Sequence, residues 1–325
     1  MPSVRTLDVQ AYRPHAIHGA DRIWAETNCY VDVVLELIHA LGFEPIAALP
    51  FTLSISYEGD QWTFFKFPPF DLFDLYGLEL QELNPWNNLA EHIETQVSLG
   101  RPVLVELDSC YLPDTQGTTY RHEHVKSTVA VNFIDRQQKR LGYFHGQSYY
   151  ELDGDDFDLV LQTEGLVHER MLPPYIELVK CHRTAEEANA ALVERSIDAL
   201  RRQLRYLPAS NPFSSFAVQF EKQLPDIKAK GLEHFHQYSF ATLRQFGACY
   251  ELSATYLKWL TEKTSKDFSL AEQNFLDISQ GAKTLQFQLA RAVARNRDID
   301  LRPLQVMAEL WQQAIDSIKT QVAAL

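Results

Sequence analysis

The spacing of apolar residues changes near residue 183, and this change constrains the fold more than any other feature of the sequence. From residue 185 onward, apolar residues recur every three or four positions in segments separated by proline, glycine or short polar stretches, as in amphipathic helices. Before residue 183, alternating and helical segments are mixed without a regular strand–helix repeat. We therefore predict an α+β domain over residues 1–182 and an all-α helical bundle over residues 183–325.

The first half contains both helix-forming and strand-forming segments. Asn28 is a candidate N-cap for an apolar helix that stops at Gly42. The alternating runs at 51–57 and 61–67, which flank a short polar turn, predict a hairpin. The other predicted elements are helices over 71–77, 86–99 and 156–163, and strands over 101–108, 119–135, 141–146 and 173–182.

The composition predicts a cytoplasmic protein that does not enter a membrane. No apolar run approaches the roughly 18 residues that span a bilayer, and the first residues lack the apolar stretch of a signal peptide. The four cysteines, Cys29, Cys110, Cys181 and Cys249, form no CxxC pair and are too sparse for a disulfide framework. We expect free thiols in a reducing compartment.

The net charge of −13 lies almost entirely in the first half of the chain. Residues 1–160 contain 10 Lys and Arg but 24 Asp and Glu, whereas the remainder is nearly balanced. An acidic surface repels phosphate backbones, so we predict no nucleic-acid partner. The balanced second half could offer local basic patches to an acidic protein partner.

Cys29 is the strongest candidate for a catalytic residue. It lies in the first turn of a predicted helix, where unpaired amide groups and the helix dipole favour a thiolate. A nucleophilic cysteine also needs a histidine within hydrogen-bonding reach, and His124 in the long predicted strand could supply it. The alternative is that Cys29 is an inert apolar residue of a buried helix.

Four segments of the first half carry a resemblance to known proteins. They are residues 26–32 (ETNCYVD), 59–69 (GDQWTFFKFPP), 123–126 (EHVK) and 142–145 (GYFH). Together with the order of predicted elements, they resemble the papain-like cysteine-protease and acyltransferase fold. More narrowly, residues 20–182 resemble the N-terminal family of the butirosin biosynthesis protein H and a related bacterial family of unknown function.

The resemblance implies acyl transfer from the phosphopantetheine thioester of a carrier protein to an amine, through a thioester on the cysteine. It suggests an aminoacyl group as cargo, an acidic acyl or aminoacyl carrier protein as partner and a small amine as acceptor. No cofactor would bind directly, because the partner carries the phosphopantetheine. Two alternatives remain open: a thiol hydrolase acting on amides or thioesters, and a non-catalytic module that binds a carrier protein or another partner.

The base that activates Cys29 has two candidates in the sequence. His124 is preferred because the EHVK match places it where the fold's histidine begins its strand. His122 is the rival, since it lies two residues away and so on the same face of the predicted strand.

The group that would orient the imidazole also has two candidates. The GYFH match points to His145, where papain-like relatives usually carry Asn or Asp. A hairpin turn centred near Gln138 instead places position 152 opposite His124, which favours Glu151. A bulge at Gly146 would reconcile the two assignments.

The remaining site assignments concern the oxyanion and metals. Papain-like enzymes often place a Gln six residues before the nucleophile, but this chain has Ile23 there. The Cys29 backbone N–H could serve instead, assisted by the Asn28 side chain. We assign oxyanion and substrate binding to Asn28 and His122, with a plain helix cap as the alternative role of Asn28. Because His122, His124, His145 and Cys110 lack tightly paired spacing, no metal site is predicted.

Overall fold

The computed structural model describes residues 2–163 and 174–324, and the chain divides into two compact units. The first unit comprises residues 1–18, 28–45 and 69–190. The second comprises residues 19–27, 46–68 and 191–325. Two short segments of the first half therefore belong to the same unit as the C-terminal helices.

A six-stranded antiparallel sheet forms the centre of the first unit, in the order β1-β6-β2-β3-β4-β5. Its strands are β1 (Leu78–Leu83), β2 (Val103–Asp108), β3 (Lys126–Asp135), β4 (Arg140–His145), β5 (Ser148–Asp153) and β6 (Ile176–Cys181). Its helices are α1 (Cys29–Ala40), α2 (Pro69–Tyr76), α3 (Leu89–Ser98), α4 (Gly154–Leu161) and α5 (Ala185–Asn189).

The two faces of the sheet are covered by different helices, because successive residues of a strand point to opposite sides. On one face, Val129 and Val131 of β3 join an apolar core with Ile93 of α3 and Phe157 of α4. On the other face, Thr128 of β3 lies against the start of α1. The helix that carries the candidate nucleophile therefore packs on the sheet, as predicted.

The second unit is built mainly from helices in its described residues from 191 to 324. It contains α6 (Leu192–Gln203), α7 (Pro212–Ser239), α8 (Gln245–Lys263), α9 (Ser269–Arg295) and α10 (Arg302–Ala323), with a π-helical turn at Phe240–Arg244. The backbone of α7 leaves helical geometry at Gly231, whose φ of 81° is in the region that glycine adopts most easily. None of the described residues from 183 to 324 lies in a strand, which confirms the prediction of a helical second half.

The hairpin predicted over residues 51–67 is confirmed only at its turn, where the Thr63 N–H donates to the Ser56 carbonyl at 2.9 Å, and its two strands are not formed. Residues Pro45–Ser54 form a 3₁₀ helix that contains an internal proline, which cannot donate to a strand ladder. An isolated bridge joins Tyr57 to Trp62. The Trp62 ring packs 5.0 Å from the ring of Phe246 in α8, so the alternating apolar residues reflect packing against helices rather than a sheet.

Three further differences from the sequence prediction concern the sheet. Strands β1 and β5 were not predicted, because both are half-polar and lie at the sheet edges. The long strand expected over 119–135 begins at Lys126, after a stretch of turns.

Within residues 2–163 and 174–324, no helix has the combined length and apolarity that crossing a bilayer requires.

Candidate active site

Cys29 is the first residue of α1, as the sequence predicts. The Asn28 side chain caps this helix, with its Oδ1 accepting a hydrogen bond from the Val31 backbone N–H at 2.8 Å. This bond establishes the capping role of Asn28. Because Cys29 is half-buried, the structure places a partly accessible thiol beside the N-terminal amides of a helix.

The described contact of the Cys29 thiol is with a hydroxyl. Cys29 Sγ lies 3.7 Å from Oγ1 of Thr128, a buried residue of β3. Thr128 pairs with Glu106 of β2 across the antiparallel ladder. The nucleophile candidate therefore lies over the start of β3, the strand that His124 precedes by two residues.

His124 lies just before β3 and is held by a carboxylate. Its Nδ1 is 2.6 Å from Oδ2 of Asp108, the last residue of β2. The other carboxylate oxygen of Asp108 accepts the Cys110 backbone N–H at 3.0 Å, which fixes the carboxylate in place. With Nδ1 directed at Asp108, proton transfer at this imidazole would use Nε2.

The residue in contact with the His124 imidazole is therefore Asp108, whereas the sequence predicted His145 or Glu151. Pairing of Asp108 with Lys126 brings the end of β2 next to His124. A hairpin register relates β3 only to the strand that follows it, whereas β2, which precedes β3 in the chain, is also its neighbour in the sheet. The sequence does contain a signal for this contact, because the predicted strand before His124 ends in an acidic residue, Asp108.

Glu151 lies away from β3, contrary to the hairpin register predicted from the sequence. It is in β5, where it pairs with Gly142 and forms a 2.7 Å ion pair with Arg140, and β4 separates it from β3. The chain reverses at Gly146, whose φ is 52°, so residues after this point return along β4 instead of extending the hairpin. The register irregularity lies between Val131 and Phe133 rather than at Gly146.

His145 has a different set of partners on the opposite face of the sheet from Cys29. Its Nδ1 is 2.5 Å from Oδ2 of Asp114, and its Nε2 is 2.7 Å from Oγ of Ser127. Asp114 also accepts a hydrogen bond from the Tyr143 hydroxyl at 2.5 Å. Burial and the neighbouring Asp114 carboxylate raise the pKa of Tyr143, which keeps its hydroxyl a donor.

His122 lies in an exposed turn, with its backbone N–H bonded to the carbonyl of Thr119 at 2.9 Å. Because β3 begins only at Lys126, the argument that His122 and His124 share a strand face does not hold. Across residues 2–163 and 174–324, no three His, Cys, Asp or Glu side chains converge in a geometry that would hold a metal ion.

A buried carboxylate in the middle of α1 was not identified from the sequence. Glu36 is fully buried and accepts hydrogen bonds from the Tyr12 hydroxyl and, at 3.0 Å, from the His15 backbone N–H. His18 Nε2 lies 3.2 Å from the same carboxylate. Burial raises the pKa of Glu36 to about 7, although its hydrogen bonds oppose the shift.

The fold and these groups define an α+β protein with a thiol at a helix N-terminus and a C-terminal helical region. The chain belongs to the DUF1839 family, whose function is unknown. Residues 13–181 match the DUF1839 N-terminal domain and residues 189–320 match the DUF1839 C-terminal domain. No curated protein matches the chain.

Proposed function

We propose that this DUF1839 protein transfers an acyl group from the phosphopantetheine thioester of a carrier protein to an amine, through a thioester on Cys29. The observation that carries the proposal is the position of Cys29, half-buried at the first turn of α1 and against the start of β3. A histidine held by a carboxylate lies two residues before the same strand. An aminoacyl group is the proposed cargo, an acidic carrier protein the partner and a small amine the acceptor.

The reaction consists of two exchanges at one sulfur. The Cys29 thiolate attacks the thioester carbonyl, the carbon–sulfur bond to phosphopantetheine breaks, and the released thiolate takes up a proton. The amine then attacks the acyl-Cys29 carbonyl, its proton passes to His124, and the Cys29 sulfur leaves. The first exchange replaces one thioester by another, so it is nearly balanced in free energy, and amide formation makes the second favourable.

Asp108 is the proposed positioning residue for the base. A carboxylate at Nδ1 fixes the ring orientation and stabilises the imidazolium that forms when Nε2 accepts a proton. The α1 N-terminus supplies amide groups near the reacting centre, which suit the oxyanion of a tetrahedral intermediate. A reducing cytoplasm would keep the thiol available.

The arrangement of a cysteine-bearing helix against an antiparallel sheet is consistent with a papain-like fold and a relationship to the butirosin biosynthesis protein H family. Two features depart from that pattern. The strand residue in contact with the Cys29 thiol is Thr128 rather than a histidine, and Ile23 stands where a Gln is expected.

The test is a transfer assay with an aminoacylated carrier protein and a panel of small amines. The wild-type chain should release the free carrier thiol and form the amide, whereas Cys29→Ala should form neither. Cys181→Ser, which alters an exposed thiol outside the proposed site, should retain wild-type turnover. If the carrier thiol is released without an amide product, whether or not amines are present, the protein is a hydrolase instead.

A binding module is the second candidate function, and the contact between Cys29 and Thr128 is the observation that favours it. A threonine hydroxyl is not a general base at neutral pH, so a strand carrying it against the thiol suits a site without turnover. If the protein is a binding module, the carrier protein should bind wild type and Cys29→Ala with equal affinity, and this affinity should fall as the salt concentration rises. The acyl group should stay on the carrier protein.

A further inference from the structure

A second group of side chains has the geometry of an activated nucleophile, on the face of the sheet away from α1. Ser127 Oγ lies 2.7 Å from His145 Nε2, and His145 Nδ1 lies 2.5 Å from Asp114 Oδ2. These are the contacts by which a serine, a histidine and an aspartate act in acyl transfer. Because Ser127 and Thr128 are successive residues of β3, this group and the Cys29 thiol contact opposite faces of one strand.

The orienting end of the group is buried and fully constrained. The Asp114 side chain is 6% exposed and that of His145 is 11% exposed. Asp114 receives the Tyr143 hydroxyl on one oxygen and His145 on the other, so it cannot rotate without breaking a bond. With Nδ1 donating to Asp114, Nε2 is the nitrogen that accepts the Ser127 hydroxyl proton.

The nucleophilic end is more open than the orienting end. Ser127 lies near the start of β3, where it is partly exposed, and the residues immediately before it are exposed. The ladder between β3 and β4 begins at Val129, which pairs with His145, so Ser127 lies just beyond the paired region. A partly exposed hydroxyl with a histidine and an aspartate behind it matches the nucleophile, base and orienting group of a serine esterase.

We propose that Ser127, His145 and Asp114 form a serine-dependent acyl site that accepts esters or thioesters, independent of Cys29. Ser127 Oγ attacks the acyl carbon while its proton passes to His145 Nε2. The bond to the leaving alcohol or thiol breaks, and that group takes the proton from His145. Water then attacks the acyl-serine, giving a proton to His145, and the carboxylic acid departs as Ser127 regains its hydrogen. Asp114 stabilises the imidazolium in both steps.

The first test uses a fluorophosphonate probe, which phosphonylates activated serines with loss of fluoride. Peptide mapping should place the label on Ser127, and Ser127→Ala should remove it. His145→Gln and Asp114→Asn should slow labelling by about 100-fold or more. Ser98→Ala, which removes an exposed serine of α3, should leave labelling unchanged. Thermal unfolding identifies any variant that has failed to fold.

A second measurement covers the case in which the first probe is too bulky. Hydrolysis of p-nitrophenyl acetate is followed in a Cys29→Ala background, so that acylation of Cys29 does not contribute. We expect the Cys29→Ala protein to hydrolyse p-nitrophenyl acetate and the added substitution Ser127→Ala to abolish this hydrolysis. The proposal is overturned if folded protein is modified at Ser127 by neither reagent, or if labelling at Ser127 keeps its rate in His145→Gln. The group would then be a structural hydrogen-bond network that joins β3, β4 and the segment carrying Asp114.

Discussion

The sulfur of Cys29 and the hydroxyl oxygen of Thr128 lie 3.7 Å apart, which places the first turn of α1 directly over β3. Thr128 pairs with Glu106, and two residues further along the same ladder Lys126 pairs with Asp108. The thiol and the carboxylate that holds His124 are therefore connected through the paired strands β2 and β3. Single substitutions at Cys29, His124 and Asp108 can therefore test the proposed chemistry.

Thiol reactivity provides the first prediction. At about pH 6.5, iodoacetamide should alkylate Cys29 faster than the other three cysteines, because its thiol is partly accessible and lies beside the N-terminal amides of α1. Cys110 is buried, burial raises the pKa of Cys249 well above its ordinary value, and desolvation raises the pKa of Cys181. Peptide mass spectrometry of alkylation against time measures the four rates.

His124→Ala should slow alkylation of Cys29 by about tenfold while leaving that of Cys181 unchanged, because His124 is the proposed base for Cys29 alone. Equal rates at Cys29 in both proteins would remove His124 from the site. If Cys29 proves the slowest thiol to react, the nucleophile assignment fails.

The carboxylate at His124 provides the second prediction. Asp108→Asn should lower the kcat of acyl transfer by on the order of 100-fold with little change in KM, because the amide can no longer stabilise an imidazolium. Glu151→Gln should leave kcat unchanged, since Glu151 lies on β5, which β4 separates from β3, and forms its ion pair with Arg140. The reverse result would restore Glu151 as the orienting group and contradict the geometry around Asp108.

The buried carboxylate of α1 provides a prediction on pH and stability. Burial raises the pKa of Glu36 from its ordinary value of 4.5 to about 7 in the folded chain. Between about pH 4.5 and pH 7, the folded state therefore holds a proton that the unfolded state has released. The stability that this proton provides is complete below about pH 4.5, declines as the pH rises, and is lost above about pH 7. The full difference corresponds to about 3 kcal/mol in the free energy of unfolding.

Urea unfolding at pH values from 5 to 8 measures this effect. The wild-type chain should lose stability across this range relative to Glu36→Gln, which keeps hydrogen-bonding capacity without a charge. Parallel curves for the two proteins would show that the Glu36 carboxyl does not titrate in this window. The neighbouring His18, 3.2 Å from Glu36, makes His18→Gln an informative companion variant.

Packing in the second unit provides the fourth prediction. A Cβ at Gly247 would lie 2.5 Å from the ring of Trp24, which is itself held by a 3.0 Å hydrogen bond to Ser279. Gly247→Ala should therefore lower the free energy of unfolding by about 1–3 kcal/mol. The matched control is Gly281→Ala, whose Cβ would meet only the flexible end of Met307.

Gly281→Ala should be neutral or slightly stabilising, because alanine is about 1 kcal/mol more favourable than glycine within a helix. Calorimetry on the two variants separates the effects. A greater loss of stability in Gly281→Ala than in Gly247→Ala would contradict the described packing around Trp24.

Local patterns in the sequence predict much of this fold, and their limits have physical causes. The cap at Asn28, the helix that follows it and the helical second half depend on periodicity and neighbouring residues, which a sequence displays directly. The segment over 51–67 could not be placed in the same way. Its alternation comes from rings such as Trp62 packing on distant helices, and no local rule separates this from a strand.

The contacts of the candidate site residues could be predicted only in part, for a similar reason. Cys29 and His124 carry recognisable local sequence, but their partners depend on which strands are neighbours. Asp108 meets His124 through the pairing of β2 with β3, and Ser127 meets His145 through the pairing of β3 with β4. Strand order and register are long-range properties, so these contacts required the structure.

The most direct test of the central claim is the intact mass of the protein mixed with an aminoacylated carrier protein in the absence of an amine acceptor. The account predicts a covalent adduct with the mass of the aminoacyl group, located by peptide mapping on Cys29, absent from Cys29→Ala and discharged when an amine is added. Loss of the acyl group from the carrier with no adduct on Cys29, or an adduct that forms equally well in Cys29→Ala, would contradict it.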